Sequence, residues 1–564
     1  MNPTQEQDQI VSTAVAGRSI KVEALSGSGK TSSQVMIADA KPTRERGLYL
    51  SFNKAIATEA ARKFPRSVIS STIHSQAFRA LGKKFSHRLE GSAGGRLSPM
   101  RLLNEYKYTG IGGLPALTRA GFVLKTLTNF LATPQEEPTS SNVPMKELRR
   151  RRTKESWNDR DLEDLARSIA MDAARAWQDM CREGSRLPMS HDGYLKLWVD
   201  SNPTLPYDYI LLDEAQDASL LMLKLIENQS AQKILVGDRN QQIYEWRGAV
   251  NIMQRLDMET LYLTQSFRFG DRIASAANPL LHFLESPRLI RGFECDRSGL
   301  PVTRAMLFRT NGGVFTDLVE RTLSGNQAVH VEGGVQDLRS MVKGVESLMA
   351  GHTTLHPDFI GFDNWDDYRE ASEEFNAPAE MRLLVKVVDE HGLGQITKAL
   401  EHAANVTQEE AHLTLSTAHK SKGREWTHVG VGDDFELPCA NPLADDGPFK
   451  AEEVRLQYVA LTRAQVELYG ARTMVETYAQ RAELVERLGR LTPQSTPSES
   501  VPLKTTGISG MSDDQATRVL NQLSAEERQH LDSRLRDLAK GTEGDCPREA
   551  SVDNGNRAME PGIQ

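Results

Sequence analysis

The stretch "VEALSGSGKT" (residues 22–31) decides how the rest of the chain is read. A short apolar segment runs into a Gly-rich turn that ends in Gly29-Lys30-Thr31, and "TSSQVMIADA" (31–40) then reads as a helix. Strand, loop and helix in that order turn backbone N–H groups and a helix N-terminus toward phosphate oxygens. Ala24, Leu25, Ser26, Gly27, Ser28, Gly29, Lys30 and Thr31 would then cradle a nucleotide. Lys30 would reach the β- and γ-phosphates, and Thr31 would hold Mg²⁺. The usual phosphate-loop pattern begins with glycine, and here that position is Ala24. Gly27 and Gly29 still supply backbone freedom. A lone Gly-Lys-Thr also occurs in surface turns, so the reading needs a partner elsewhere.

The partner is "YILLDEAQD" (209–217), a buried-type apolar strand that ends in Asp213-Glu214. A carboxylate at a strand's C-terminal end can hold Mg²⁺, directly or through water. A second carboxylate beside it can orient and deprotonate an attacking water. By itself the pair could equally be a helix N-cap with an acidic first turn. With a phosphate loop upstream, catalysis is the better reading.

The totals set bounds. A chain of 564 residues is too long for one core, and three or four domains are expected. Hydrophobic content of 39% and charged content of 26% are ordinary for a soluble globular protein. No apolar run approaches the length of a membrane span. The start, "MNPTQEQDQI", is polar and acidic and lacks signal-peptide architecture. Cys181, Cys295, Cys439 and Cys546 are far apart. They fit reduced thiols in a cytoplasmic protein better than a disulfide framework or a zinc site. A net charge of −8 argues against a passive basic nucleic-acid coat but leaves room for local basic grooves.

Apolar runs bounded by turns recur as "SIKVEAL" (19–25), "GLYLSF" (47–52), "SVIS" (67–70), "YDYILLDE" (207–214) and "KILVGD" (233–238). They continue as "VTRAMLF" (302–308), "LTLSTA" (413–418) and "HVGVGD" (428–433). Such runs between helical patterns indicate an α/β fold with buried parallel strands. Residues of about 80–200 and about 335–405 are instead helical and polar, which suggests insertions between strands. From about 490 a Pro/Ser/Thr linker leads to "SDDQATRVLNQLSAEERQHLDSRLRDLAK" (512–540). That segment reads as amphipathic helix on Leu520, Leu523, Leu531 and Leu535, and a disordered end is expected after it.

"DEAQD" followed by "VGDRNQQIYEWRGA" (236–249) resembles motifs II and III of the UvrD/Rep helicases of superfamily one. Other motifs of that family have counterparts along the chain. "NPTQ" (2–5) resembles the adenine-reading Q motif, "LSFNKAIATEA" (50–60) motif Ia and "TIHSQAFRAL" (72–81) motif Ib. "LTQSFRF" (263–269) resembles motif IV, "STAHKSKGREW" (416–426) motif V and "QYVALTRA" (457–464) motif VI. "FNKAIA" and "MSHDGYLKLW" (189–198) look most like the F-box DNA helicase branch, although no F-box is seen. These helicases resemble one another in placing Ala at the first phosphate-loop position, so Ala24 marks the type.

The resemblance implies roles. Gln5 would read adenine, and Glu425 would bind the ribose. Lys30, Asp213, Glu214, Gln241, Arg268 and Arg463 would be catalytic, with Thr31 and Asp213 on Mg²⁺. Gln241 would sense the γ-phosphate, and the two arginines would stabilise transition-state charge. Phe52, Asn53, His74, Tyr244, Trp246 and His419 would face DNA. Trp246 could instead be a core aromatic, and His74 and His419 could instead make structural hydrogen bonds. There are departures too. Ser32 stands where many relatives carry Arg, and "SFR" (266–268) replaces the more usual Asn-Tyr-Arg while keeping Arg268. The basic run "KELRRRRTKE" (146–155) is either a solvated loop or a phosphate-contacting patch.

The expected architecture is two RecA-like P-loop lobes with parallel sheets, each carrying a mainly helical insertion. The first lobe takes residues 1–79 and 200–265 around an insertion at 80–199. The second takes 266–334 and 406–489 around a small insertion at 335–405. A linker (490–511), a helical tail (512–540) and a disordered end (541–564) follow. By resemblance, the chain would be an ATP- and Mg²⁺-dependent 3′→5′ DNA helicase acting on single-stranded DNA and on single-/double-strand junctions. No membrane association is expected, and residues 512–540 would dock on the motor, self-associate or bind a protein partner. One rival is a translocase that strips proteins from single strands and unwinds poorly. A non-catalytic DNA-binding scaffold is the other, and the intact catalytic set argues against it.

Overall fold

The computed structural model describes residues 3–51, 53–91, 95–150, 157–245, 249–324, 328–354, 356, 358–359, 361–373, 379–439 and 449–491. Among these, the strands in chain order are β1 (Ile20–Ala24), β2 (Gly47–Ser51), β3 (Val68–Thr72), β4 (Tyr209–Leu212), β5 (Ala218–Ser219), β6 (Gln232–Gly237) and β7 (Ala249–Val250). They continue with β8 (Glu259–Leu263), β9 (Arg304–Phe308), β10 (Val329–Val331), β11 (Leu413–Thr417), β12 (Trp426–Val431) and β13 (Ala464–Tyr469). One sheet has the order β3-β2-β4-β6-β1-β8 and a second the order β10-β11-β9-β12-β13. Every pairing in both is parallel. β5 and β7 form a small antiparallel ladder. The fold is α/β with two parallel-sheet lobes.

Alternation along β2 shows how the first sheet is covered on both faces. Leu48 and Leu50 enter one apolar cluster, and Tyr49 enters the other with Ile10, Ile37 and Leu211. The helices between β3 and β4 belong to the first cluster. Helix Asp159–Cys181 starts at an Asn158 cap whose partner in a reciprocal box is Asp161, and it buries Leu162, Leu165, Ile169, Ala173 and Trp177 at helical spacing. Phe122, Trp177 and Trp198 share that core with Leu50, Leu212 and Leu235 of the strands. In the same way, helices Gln336–Met349, Trp365–Glu373 and Ala379–Ala404 lie between β10 and β11. Their Leu338, Val345, Trp365 and Val388 share a core with Phe308, Val331 and Leu415.

The chain divides into two compact units, Met1–Glu436 with Lys450–Val475, and Leu437–Phe449 with Glu476–Gln564. Both sheets belong to the first. In the second, Arg481 Nη1 donates to the Cys439 carbonyl at 2.8 Å. Of the sequence expectations, Phe52, Trp246, residues 151–155 of the basic run and everything from 492 onward, including the tail at 512–540, lie outside the described residues. Among the described residues, no helix is long and apolar enough to cross a membrane.

Candidate active site

The loop after β1 is built by its glycines. Ser28 folds back so that its amide and hydroxyl both donate to the Leu25 carbonyl, at 3.2 and 2.6 Å. Gly27 and Gly29 have φ of 71° and 82°, values that a side chain resists. A Cβ on Gly27 would also meet Ser266 Oγ at 2.4 Å, so this loop and the "SFR" segment touch only because Gly27 is bare. Ala24, by contrast, is the last residue of β1, is fully buried and is not among the positive-φ residues. A methyl group is tolerated there. Lys30 opens helix Lys30–Ala40 directly behind the loop.

Asp213 and Glu214 follow β4, the strand two places from β1 in the sheet. One Asp213 oxygen accepts from the Glu214 amide at 3.0 Å and the other from the Tyr49 hydroxyl at 2.6 Å. Glu214 is held in the left-handed region, at φ 52°, which turns its carboxylate toward Lys30 Nζ at 3.8 Å and Lys422 Nζ at 3.8 Å. Burial raises the Asp213 pKa, and the Glu214 charge adds to this. Burial also works against the Glu214 charge, but Lys30, and then Lys422, outweigh it and hold Glu214 low. The site thus keeps Glu214 ionised. Lys422 is anchored by a short ion pair with Asp217 and by donating to the Gln241 carbonyl at 2.8 Å.

Ser26 is the meeting point. Its hydroxyl accepts from Arg268 Nη1 at 2.9 Å and from Arg463 Nη2 at 3.4 Å, and its amide donates to the Tyr458 hydroxyl at 3.2 Å. Arg463 Nη2 also reaches Gln241 Oε1 at 3.3 Å, and Gln241 Nε2 donates to Asp238 at 2.7 Å. Arg463 lies between helix Ala451–Leu461 and β13. It is wholly buried, and burial, then the nearby Arg268, press its pKa below the usual guanidinium value. Arg268 is paired with Glu425 at 3.1 Å, and Gln465 donates to the same carboxylate at 2.9 Å. Lys30, Asp213, Glu214, Gln241, Arg268 and Arg463 are therefore linked by contacts of 4 Å or less through Ser26 and Lys422.

The expectation for Gln5 needs correction. Gln5 is on the exposed side of helix Gln5–Val15, away from the loop. Gln7 is buried instead, donates to Ser33 Oγ at 3.3 Å and lies against Gly29. Residues two apart on a helix point about 200° apart, so both cannot face the loop. Phe267 also packs against Gly29, beside Gln7, and meets Phe293 at 5.5 Å between rings. Gln7, Tyr49, Asp217, Phe267, Lys422 and Tyr458 are all site residues that the sequence reading passed over. A helical-phase count from the Thr4 cap would have found Gln7.

Of the residues read as facing DNA, the described ones, Asn53, His74, Tyr244 and His419, make contacts within the chain. Asn53 caps helix Lys54–Lys63 by accepting from the Ile56 amide at 2.9 Å. His74 Nε2 pairs with Asp192 at 2.9 Å. Tyr244 donates to the His419 carbonyl at 3.2 Å, and Lys422 Nζ lies 5.5 Å from its ring centre. The structure brings Tyr244 and His419 together and places Asn53 and His74 on other elements of the first sheet's lobe.

Comparison with known proteins agrees with this geometry. The family described as UvrD/REP helicase N-terminal domain matches residues 3–259, and that described as UvrD-like helicase C-terminal domain matches residues 363–472. "F-box DNA helicase 1" of Gallus gallus is 30% identical over 505 residues, covering 82% of this chain and 48% of the relative. "F-box DNA helicase protein 1" of Schizosaccharomyces pombe is 28% identical over 542 residues, 86% of this chain and 59% of the relative. A "Probable DNA helicase" of Mycoplasma pneumoniae is 26% identical over 281 residues, 48% of this chain and 44% of that protein. The chain thus spans about half the length of the curated relatives it matches. With two parallel-sheet lobes, an arginine-linked phosphate loop and both family domains in order, this chain belongs to the UvrD/Rep helicase family.

Proposed function

We propose that the chain is an ATP-dependent DNA helicase that moves 3′→5′ on single-stranded DNA and opens tailed duplexes at single-/double-strand junctions. DNA repair, recombination or replication would be its setting, in the cytoplasm or, in a nucleated cell, the nucleus. The observation that supports it most is the cluster at Ser26, where Arg268 and Arg463 meet the phosphate loop beside Glu214 and Gln241. Lys30 and the helix N-terminus would bind the β- and γ-phosphates. Glu214, kept ionised by Lys30 and Lys422, would take the proton of the attacking water. Arg268 and Arg463 would leave Ser26 for the γ-phosphate and stabilise its charge. Gln7 would read the base, with Phe267 as its stacking surface and Glu425 at the ribose. The Thr31 hydroxyl and the Asp213 carboxylate are hard oxygen donors, which fits Mg²⁺. Bound there, Mg²⁺ would neutralise phosphate charge. Asn53, His74, Tyr244 and His419, with Phe52 and Trp246 from the sequence reading, would grip the strand.

The test is ATP hydrolysis with and without single-stranded DNA, followed by unwinding of 3′-tailed and 5′-tailed duplexes. Hydrolysis unresponsive to DNA would overturn the reading, and unwinding of only the 5′-tailed duplex would overturn its direction. A second reading, a translocase that strips proteins and unwinds weakly, is favoured by the helices at 336–404, which share one core with the second sheet. Displacement of a bound protein from a single strand, without strand separation, would select it.

A further inference from the structure

Tyr49 is fully buried in the first sheet, and its hydroxyl lies in a mainly apolar cluster. β2 runs parallel to β4 with Tyr49 beside Leu211, and alternation sets Tyr49, Leu211 and Asp213 on one face. That face also carries the phosphate-loop helix, through Ile37 and Ala38. The ring is fixed by Phe64, 4.7 Å away between centroids, and the hydroxyl reaches past Leu211 to Asp213 at 2.6 Å. Leucine or phenylalanine would fill the same space without a polar atom to satisfy. The hydroxyl therefore has a use, and it donates to Asp213.

We propose that Tyr49 is a positioning residue for the cation site, which orients the Asp213 carboxylate so that it presents a metal-binding lone pair to the nucleotide cleft. This rests on the reading of Asp213 as a Mg²⁺ ligand. The carboxylate has two anchors. The Glu214 amide holds Oδ1 and the Tyr49 hydroxyl holds Oδ2, which together fix its rotation about the Cβ–Cγ bond. With the hydroxyl removed, one anchor remains, and the plane of the carboxylate can turn. Groups that orient a metal ligand in this way typically contribute about 10- to 100-fold in metal affinity. The effect is on cation binding rather than on nucleotide binding, because Lys30 and the loop backbone, which hold phosphate, do not depend on Tyr49.

The experiment uses the full chain saturated with a non-hydrolysable ATP analogue and titrated with Mn²⁺, with free Mn²⁺ read by electron paramagnetic resonance. Tyr49→Phe keeps the ring against Phe64 and removes only the hydroxyl. It is expected to weaken Mn²⁺ binding about 10-fold or more, with metal-free nucleotide affinity, measured in EDTA, within about twofold of the parent. Asp213→Ala is expected to abolish tight Mn²⁺ binding, and adding Tyr49→Phe to it should change nothing further. Unchanged Mn²⁺ affinity in Tyr49→Phe, with Asp213→Ala defective, overturns the role of Tyr49. Tight Mn²⁺ binding in Asp213→Ala overturns the metal reading itself and the inference with it. Equal losses of metal-free nucleotide and Mn²⁺ affinity in Tyr49→Phe would show a packing role only and also overturn it.

Discussion

Lys30 and Glu214 stand 3.8 Å apart, yet their removal should have opposite signatures. Lys30→Ala takes away the phosphate's cation and should weaken nucleotide binding as well as hydrolysis. Glu214→Gln leaves the loop intact and should hold ATP without turning it over, which equilibrium binding and single-turnover hydrolysis would separate. Arg463→Ala should lower kcat on the order of 10³-fold while ATP affinity changes little, as expected for a group whose contact forms in the transition state. Steady-state kinetics with DNA present is the check, and near-parental turnover would contradict the assignment. At the base, Gln7→Ala should raise KM for ATP and narrow the preference for ATP over GTP. Gln5→Ala, on the exposed side of the same helix, should leave both unchanged.

The elements differ in how plainly the sequence announces them. β1, β2, β4, β6, β9, β11 and β12 are interior strands, covered on both faces, and each reads as a near-continuous apolar run. β3, β8, β10 and β13 are the sheet edges, and of these β3 alone reads as a short apolar run. "AQVELY" (464–469) is half-polar because one flank of β13 meets no further strand. Asp213 and Glu214 could be read as candidates because they end an apolar strand, whereas Arg268 and Arg463 came only from the resemblance to helicase motifs. Lys422, Asp217 and Tyr458 could not, because what defines them is packing between segments far apart in sequence. A similar case is helix His191–Asp200, capped by Ser190, whose Lys196 is fully buried. Its ammonium donates to the carbonyls of Thr133 at 3.0 Å and Gln135 at 2.6 Å and pairs with Asp200 at 3.1 Å. Lys196→Met keeps the length of the side chain and removes these bonds. It should cost about 2–4 kcal/mol in urea unfolding and leave the ATP site's affinity unchanged.

Across the whole molecule, a net charge of −8 means that any grip on DNA is local. Single-strand affinity should then fall with salt on a log–log slope of about −2 to −3.5, the value for three to five phosphates at about −0.7 each. Titrating labelled oligothymidine at several salt concentrations measures it, and a slope beyond about −7 would require a far more basic surface. The continuous core that joins Leu50 and Leu212 of the first sheet to Phe122, Trp177 and Trp198 has a mechanical meaning. Interiors packed to this density resist shear and pass strain on. The described helices between β3 and β4 therefore share one core with β2, β4 and β6, which lie on one side of the strand leading into the phosphate loop, and they form an arm rooted in that sheet. A shift of that sheet should then carry the arm along as one body rather than bend it at the root.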